Sequence, residues 1–183
     1  LHRLGMQVVD VNRVNTHGGS LRVWTAKENS RYRPTSNVDQ LLLEEERENL
    51  NQLGAWKPLR EKIAAQRTEL TALLKELKQR DCSIVGYGAP AKATTFCYTM
   101  GISREDISYI VDDAPLKMGL FTPGLHIPVL NPSMLYDDPD KGWPDYVLIL
   151  AWNFADAIIE KHKALREGGT HFITPFPTLK VTE

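Results

Sequence analysis

The feature that most constrains this chain is a glycine-rich turn between a strand-sized apolar run and a helical segment. Cys82-Ser83-Ile84-Val85-Gly86 reads as a buried strand, Gly86-Tyr87-Gly88-Ala89-Pro90-Ala91 is a G-x-G-x-x-A turn, and a helix follows through Ala93-Thr94-Thr95-Phe96-Cys97-Tyr98. Such a pattern carries meaning only in this strand-to-helix setting. The first glycine permits a tight turn, the second lets a ligand approach the backbone, and Ala91 lets the helix pack close to the strand. Pro90 suits the first helical turn, where its missing N–H is no loss. The N–H groups and the positive end of the helix dipole then face an anion, most simply a diphosphate. Lys92 adds a point charge, and Thr94 and Thr95 offer hydroxyls. The competing reading is a tight strand–helix turn with no ligand.

Downstream, strand and helix signals alternate. Strands are expected at Ile107–Val111, briefly at His126–Val129, at Asp145–Leu150 and at His171–Ile173, with a helix from Ala155 to Leu165 stopped by Gly168-Gly169. Alternation of this kind means an α/β fold, a Rossmann-like parallel sheet with helices on both faces. Right-handed crossovers give the strand order 3-2-1-4-5. Pro128 belongs on an edge strand, because it donates no ladder hydrogen bond. Ligands of open α/β sheets bind where the order reverses, here between strands 1 and 4. Trp152 and Asn153, at the end of strand 4, therefore face the glycine turn and suit a base or sugar. Equally, Trp152 suits the core and Asn153 suits a helix cap. Asp112 and Asp113 end strand 2, near where a ribose-binding carboxylate is expected. Turn or cap duty fits that pair as well. Lys117, in Pro115-Leu116-Lys117-Met118-Gly119, stands at the same sheet edge as a second positive charge. His126 reads as structural, His162 lies on a helix surface, and the scattered histidines form no metal site.

The preceding part divides into three. Residues 1–26 form a β-hairpin after a glycine stop at Gly5, with turn chemistry at Thr16-His17-Gly18-Gly19-Ser20. Residues 27–37 are a polar linker, and residues 38–80 are connecting helices, the first capped by Ser36 or Asn37. The second is a long amphipathic helix from Pro58 to near Arg80, carrying Leu70, Leu74 and Leu77. Residues 81–183 are the Rossmann-like, ligand-binding part. A chain of 183 residues with 42% hydrophobic and 25% charged residues buries a real core. The 22 basic residues against 23 acidic ones argue against a nucleic-acid partner. No run is long enough to span a membrane, and no secretory leader opens the chain. Two cysteines, Cys82 and Cys97, read as reduced core thiols of a cytoplasmic protein. A start at Leu1, with Met6 inside an element end, suggests a piece of a longer protein.

Several stretches together resemble the C-terminal domain of the SAM-dependent sugar C-methyltransferase family. They are Cys82–Lys92, Val111–Gly119, Pro123–Pro128, Pro144–Asn153 and the closing Pro175-Phe176-Pro177, with Thr16–Arg22 similar to the hairpin that ends the family's methyltransferase domain. The resemblance implies that residues 1–26 end a truncated SAM-dependent methyltransferase domain. It also implies that the S-adenosyl-methionine site, the zinc cysteines and the Tyr-x-Glu-His catalytic segment would precede Leu1, so that the fragment carries no cofactor and does not methylate alone. The intact enzyme would methylate a ring carbon of a nucleotide-linked keto sugar. By resemblance, Gly86, Tyr87, Gly88, Ala89 and Lys92 hold the nucleotide diphosphate, joined by Lys117, Trp152 and Asn153, while His17 borders the substrate cleft unless it is a plain turn residue. Lys92-Ala93-Thr94-Thr95 stands where the family commonly has Lys-Gly-Asn-Thr, and Asp113-Ala114 where Arg-Asn is common. The preceding SAM-binding domain and the nucleotide-sugar are the expected partners. Two alternatives are a non-catalytic module for NAD or another adenine dinucleotide, and a helix-mediated assembly domain with a vestigial loop.

Overall fold

The computed structural model describes residues 1–137 and 142–182. The chain divides into two compact units, Leu1–Glu61 and Lys62–Glu183. The first holds an antiparallel hairpin, β1 (Met6–Val14) and β2 (Ser20–Lys27), and helix α1 (Ser36–Arg47). Both strands extend past their expected ends, and a bulge between Val8 and Asp10 shifts their register. Gly5 closes the opening turn in the left-handed region, φ 65°, as its position suggested. Thr35, rather than Ser36 or Asn37, occupies the N-cap of α1. Its hydroxyl, like the Asn37 amide, is turned to the Asp10 carboxylate, which these bonds and one from Asn12 hold below the usual carboxylate range.

Helix α2 (Lys57–Gln79) crosses the division between the units. Its Leu70, Leu74 and Leu77 recur at three- and four-residue spacing and are buried against the sheet of the second unit. That sheet contains β3 (Ile84–Tyr87), β4 (Ile110–Val111), β5 (Val129–Leu130), β6 (Tyr146–Ile149), β7 (His171–Thr174) and β8 (Lys180–Val181). Spatially the order is β5-β4-β3-β6-β7-β8, so the expected 3-2-1-4-5 order is present. One strand was not expected: β8 adds antiparallel to β7, and the first five are parallel. Pro128 immediately precedes the edge strand β5, and its carbonyl accepts from Ile110.

Side chains alternate across this sheet, as the pleat requires. Ile84, Ile110, Leu148 and Ile173 pack beneath α2 and α3 (Ala91–Met100). Val85, Val111, Val147, Ile149 and Phe172 pack against α4 (Ala155–Lys161) and α5 (Lys163–Glu167). Helices therefore cover both faces. The single helix expected over 155–165 is broken at His162, whose ψ of 32° leaves the helical region. Cys97 lies buried in the α3 core, where burial pushes its thiol pKa up to about 11. Among the described residues no helix is long and apolar enough to cross a membrane, and no group of three or more His, Cys, Asp or Glu side chains could hold a metal ion.

Candidate functional site

The carboxyl ends of β3, β4 and β6 bring most of the expected residues to one edge. Gly86 sits in β3 opposite Ile110 and Leu148. A methyl group there would lie 2.7 Å from Ile110 Cγ1 and 3.3 Å from Leu150, so the strand fits its neighbours only as glycine. Gly88 adopts φ +89°, and a Cβ there would meet the Ala151 Cβ at 2.7 Å. This glycine lets the turn after β3 lie directly on the turn after β6, the switch point of the sheet.

Pro90 is the N-cap of α3 rather than its first helical residue. Ala91 and Lys92 open that helix, and their N–H groups have no carbonyl four residues behind them within it. Lys92 lies half-buried with its ammonium 3.7 Å from the centroid of the Trp152 ring, a cation–π contact, and burial lowers its pKa. Trp152 is fixed from behind by Phe96 and Phe176, at 5.3 and 5.1 Å between ring centroids. Asn153 lies in the 3₁₀ turn Trp152–Phe154, and Phe154 takes the N-cap position of α4. Beside them a cavity of about 580 Å³ is lined by Trp152, Asn153, Phe176, Lys180 and Thr182, a size suited to a small ligand. A second cavity, about 310 Å³ and mostly apolar, lies between Pro90, Thr94, Phe121 and Pro123 with Lys117 at its rim.

Asp112 and Asp113 diverge. Asp112 is 7% exposed on the α3 side. Its Oδ2 accepts from the Ala89 N–H at 2.6 Å and from the Lys117 ammonium at 3.1 Å, and its Oδ1 accepts from the Ala114 N–H at 2.8 Å. Burial alone would raise its pKa, but the Ala89 and Ala114 amides and Lys117 outweigh burial and hold it below the usual carboxylate range. Lys117 therefore ends on a carboxylate of its own chain.

Asp113 points to the α4 side, where a polar chain absent from the sequence expectations is assembled. Tyr136 bonds to His162 Nδ1 at 2.9 Å, His162 Nε2 bonds to the Tyr87 hydroxyl at 3.1 Å, and that hydroxyl donates to Asp113 Oδ2 at 2.9 Å. Lys161 donates to both Tyr87 and Asp113. One proton arrangement satisfies every member: Tyr136 donates to Nδ1 of a neutral imidazole, and Nε2–H donates to Tyr87. His162, expected on a helix surface, is 3% exposed: it stands four residues after buried Ile158 and three before buried Leu165, on the stripe that faces the sheet. Burial first, and then Lys161, lower its pKa, against a smaller opposing effect of Asp113. Burial pushes the Tyr87 pKa up to about 12. Tyr87, grouped with the glycine turn in sequence, thus projects to the opposite face from Lys92.

His17 is exposed in the hairpin turn of the first unit with φ 55°, a left-handed conformation. His126 is likewise exposed, in the turn before β5, with φ 53°.

Residues 15–177 match a family model described as the C-methyltransferase C-terminal domain. The C-methyltransferase NovU of Streptomyces niveus is 30% identical over 177 residues, which cover 97% of this chain and 41% of NovU. The chain thus spans well under half the length of that relative. The glycine turn, the strand order and the β6 terminus that frame the site all lie within the matched residues, and the chain belongs to the C-methyltransferase C-terminal domain family.

Proposed function

We propose that the α/β unit binds the nucleotide diphosphate of a nucleotide-linked keto sugar and positions that substrate for carbon methylation by a longer, SAM-dependent protein. The observation that carries this reading is the Lys92 ammonium over the Trp152 ring at the start of α3. A nucleotide diphosphate presents a planar base and two phosphates. Lys92, turning from the Trp152 face to the phosphates, joins the opening amides of α3 as their positive end and leaves the aromatic face to the base. Gly88 keeps the two turns close enough for one ligand to touch both. Asn153, in the cavity beyond Trp152, adds an amide for the base or sugar.

The residues at this mouth do not fit S-adenosyl-methionine itself. That cofactor is a sulfonium cation, and the group held over the Trp152 ring here is itself a cation, Lys92. In this reading its site, the base that removes the sugar proton and the preceding methyltransferase domain all lie outside this chain, and the hairpin of residues 1–26 is the end of that domain. The protein works in the cytoplasm, where nucleotide sugars and the methyl donor are both at hand. What this unit contributes is orientation, which removes up to about 7–11 kcal/mol of barrier when the reacting groups are held in register. The dinucleotide alternative needs a free carboxylate at the end of β4, and Asp112 is engaged there by Ala89, Ala114 and Lys117.

Thermal-shift measurement on the 183-residue chain tests the reading. At ~100 times its Kd a ligand adds about 2.7 kcal/mol, a rise of several degrees at roughly 2–4 °C per kcal/mol. UDP- or dTDP-sugars are expected to raise Tm, and NAD and S-adenosyl-methionine to leave it unchanged. Lys92→Met should weaken the nucleotide by about tenfold, the scale of one charge-assisted contact. A rise with NAD alone would overturn the reading.

A further inference from the structure

The glycine turn presents its two sides differently, and one side is already occupied by an anion. On the side away from Trp152, the Ala89 N–H and the Lys117 ammonium both end on Asp112 Oδ2, at 2.6 and 3.1 Å, while Asp112 Oδ1 takes the Ala114 N–H. The arrangement is closed: one carboxylate, two backbone amides and one ammonium, with the carboxylate buried. An amide and a lysine converging on one oxygen are the donors a phosphate oxygen would use. On the other side stand Lys92 and the opening amides of α3.

We propose that Asp112 determines which anions the glycine turn accepts, by standing as an internal anion on Ala89 and Lys117. An incoming diphosphate is then confined to the Lys92 and Trp152 side, because Asp112 already takes the Ala89 amide and the Lys117 ammonium. The unit in this way takes a diphosphate on one flank of the turn only. The choice of ligand rests on the nucleotide reading above; the internal bonds of Asp112 do not.

Two measurements test this on the 183-residue chain. The first needs no ligand: amide hydrogen exchange at Ala89, followed by NMR, is expected to be slow in the free chain and to accelerate at least tenfold in Asp112→Ala. Fast exchange at Ala89 in the unaltered chain would overturn the proposal. The second is calorimetric titration with inorganic diphosphate, UDP and NAD. Asp112→Asn removes the internal charge and frees Lys117, so diphosphate should bind about threefold or more tightly, a modest fraction of one charge-assisted contact. Adding Lys117→Met to that variant should cancel the gain. A folded Asp112→Asn that binds diphosphate no better than the unaltered chain, or that loses UDP tenfold, overturns the proposal, the latter because Asp112 would then touch the ligand. If the unaltered chain binds neither UDP nor a UDP-sugar, the nucleotide reading falls, while Ala89 exchange and the diphosphate comparison still decide the role of Asp112.

Discussion

The two faces of the parallel sheet end differently at the same edge. Asp112 and Asp113 are adjacent in sequence, and the pleat sends them to opposite sides. On the α3 side, Asp112 closes one flank of the glycine turn and leaves Lys92 over the ring of Trp152, which lines a cavity. On the α4 side, Asp113 joins Tyr87, Lys161, His162 and Tyr136 in a chain where donors and acceptors are matched. One face keeps a cation and an aromatic ring available; the other consumes its polar groups internally. Polar residues at a strand end therefore have to be assigned by face before they are assigned to a ligand.

The strongest way to break this contrast is at Gly88. Valine there would meet Ala151 at 2.7 Å and adopt φ +89°, which a β-branched residue rarely tolerates. Overpacking and backbone strain together should cost about 2–6 kcal/mol, read as a lower urea midpoint. Nucleotide binding should be lost even at temperatures where the chain stays folded. A Gly88→Val chain with unaltered stability would mean that the turns after β3 and β6 are not in contact, and the α3-side mouth would not exist as described.

Tyr87 sharpens the contrast from the other face. Removing its hydroxyl in Tyr87→Phe leaves the buried His162 Nε2–H without its acceptor and deprives Asp113 and Lys161 of a partner. An unsatisfied buried donor costs about 1–3 kcal/mol, so Tm should fall by roughly 2–12 °C at 2–4 °C per kcal/mol. Affinity for UDP should stay within about threefold. Loss of affinity without loss of Tm would move Tyr87 to the ligand side and make the faces alike.

The alternation of apolar strands with helices made the sheet readable, because a strand buried on both faces must be apolar at nearly every position. The G-x-G-x-x-A turn located the crevice for the same reason: Gly86 and Gly88 sit where a Cβ would clash. Strand β8 was not readable, since Lys180-Val181 is a two-residue strand after two prolines and makes no apolar run. The break at His162 escaped because Ile158 and Leu165, seven residues apart, continue a helical stripe straight across it. His162 itself finds partners 26 and 75 residues away, in Tyr136 and Tyr87, which no local pattern encodes. The pairing of Asp112 with Ala89 had a faint signal in its place at a strand end beside the turn. Its choice between ribose and backbone depended on where Lys117 and Ala114 fell in space.

The smallest expected effect is one of pH, and it probes how closed the α4 side is. Burial and the Lys161 charge make His162 bind its proton more weakly in the folded chain than in the unfolded chain, where its pKa is near 6.5. The unfolded state therefore takes up this proton first as pH falls. Stability from this group is intact above about pH 6.5, declines below it and levels off once the folded pKa is passed. Asp112 and Asp113, whose pKa values are also lowered, contribute with the same sign, but only near and below their ordinary value of 3.8. Between pH 6.5 and 5 the slope thus reports chiefly on His162. His162→Gln keeps an amide donor and an acceptor at the site and removes the titration. Its Tm should change less with pH over that window than the unaltered chain's, with a difference of a few degrees. Parallel Tm curves for the two proteins would show that water reaches the imidazole freely, and the α4 side would then be as open as the side that carries Lys92.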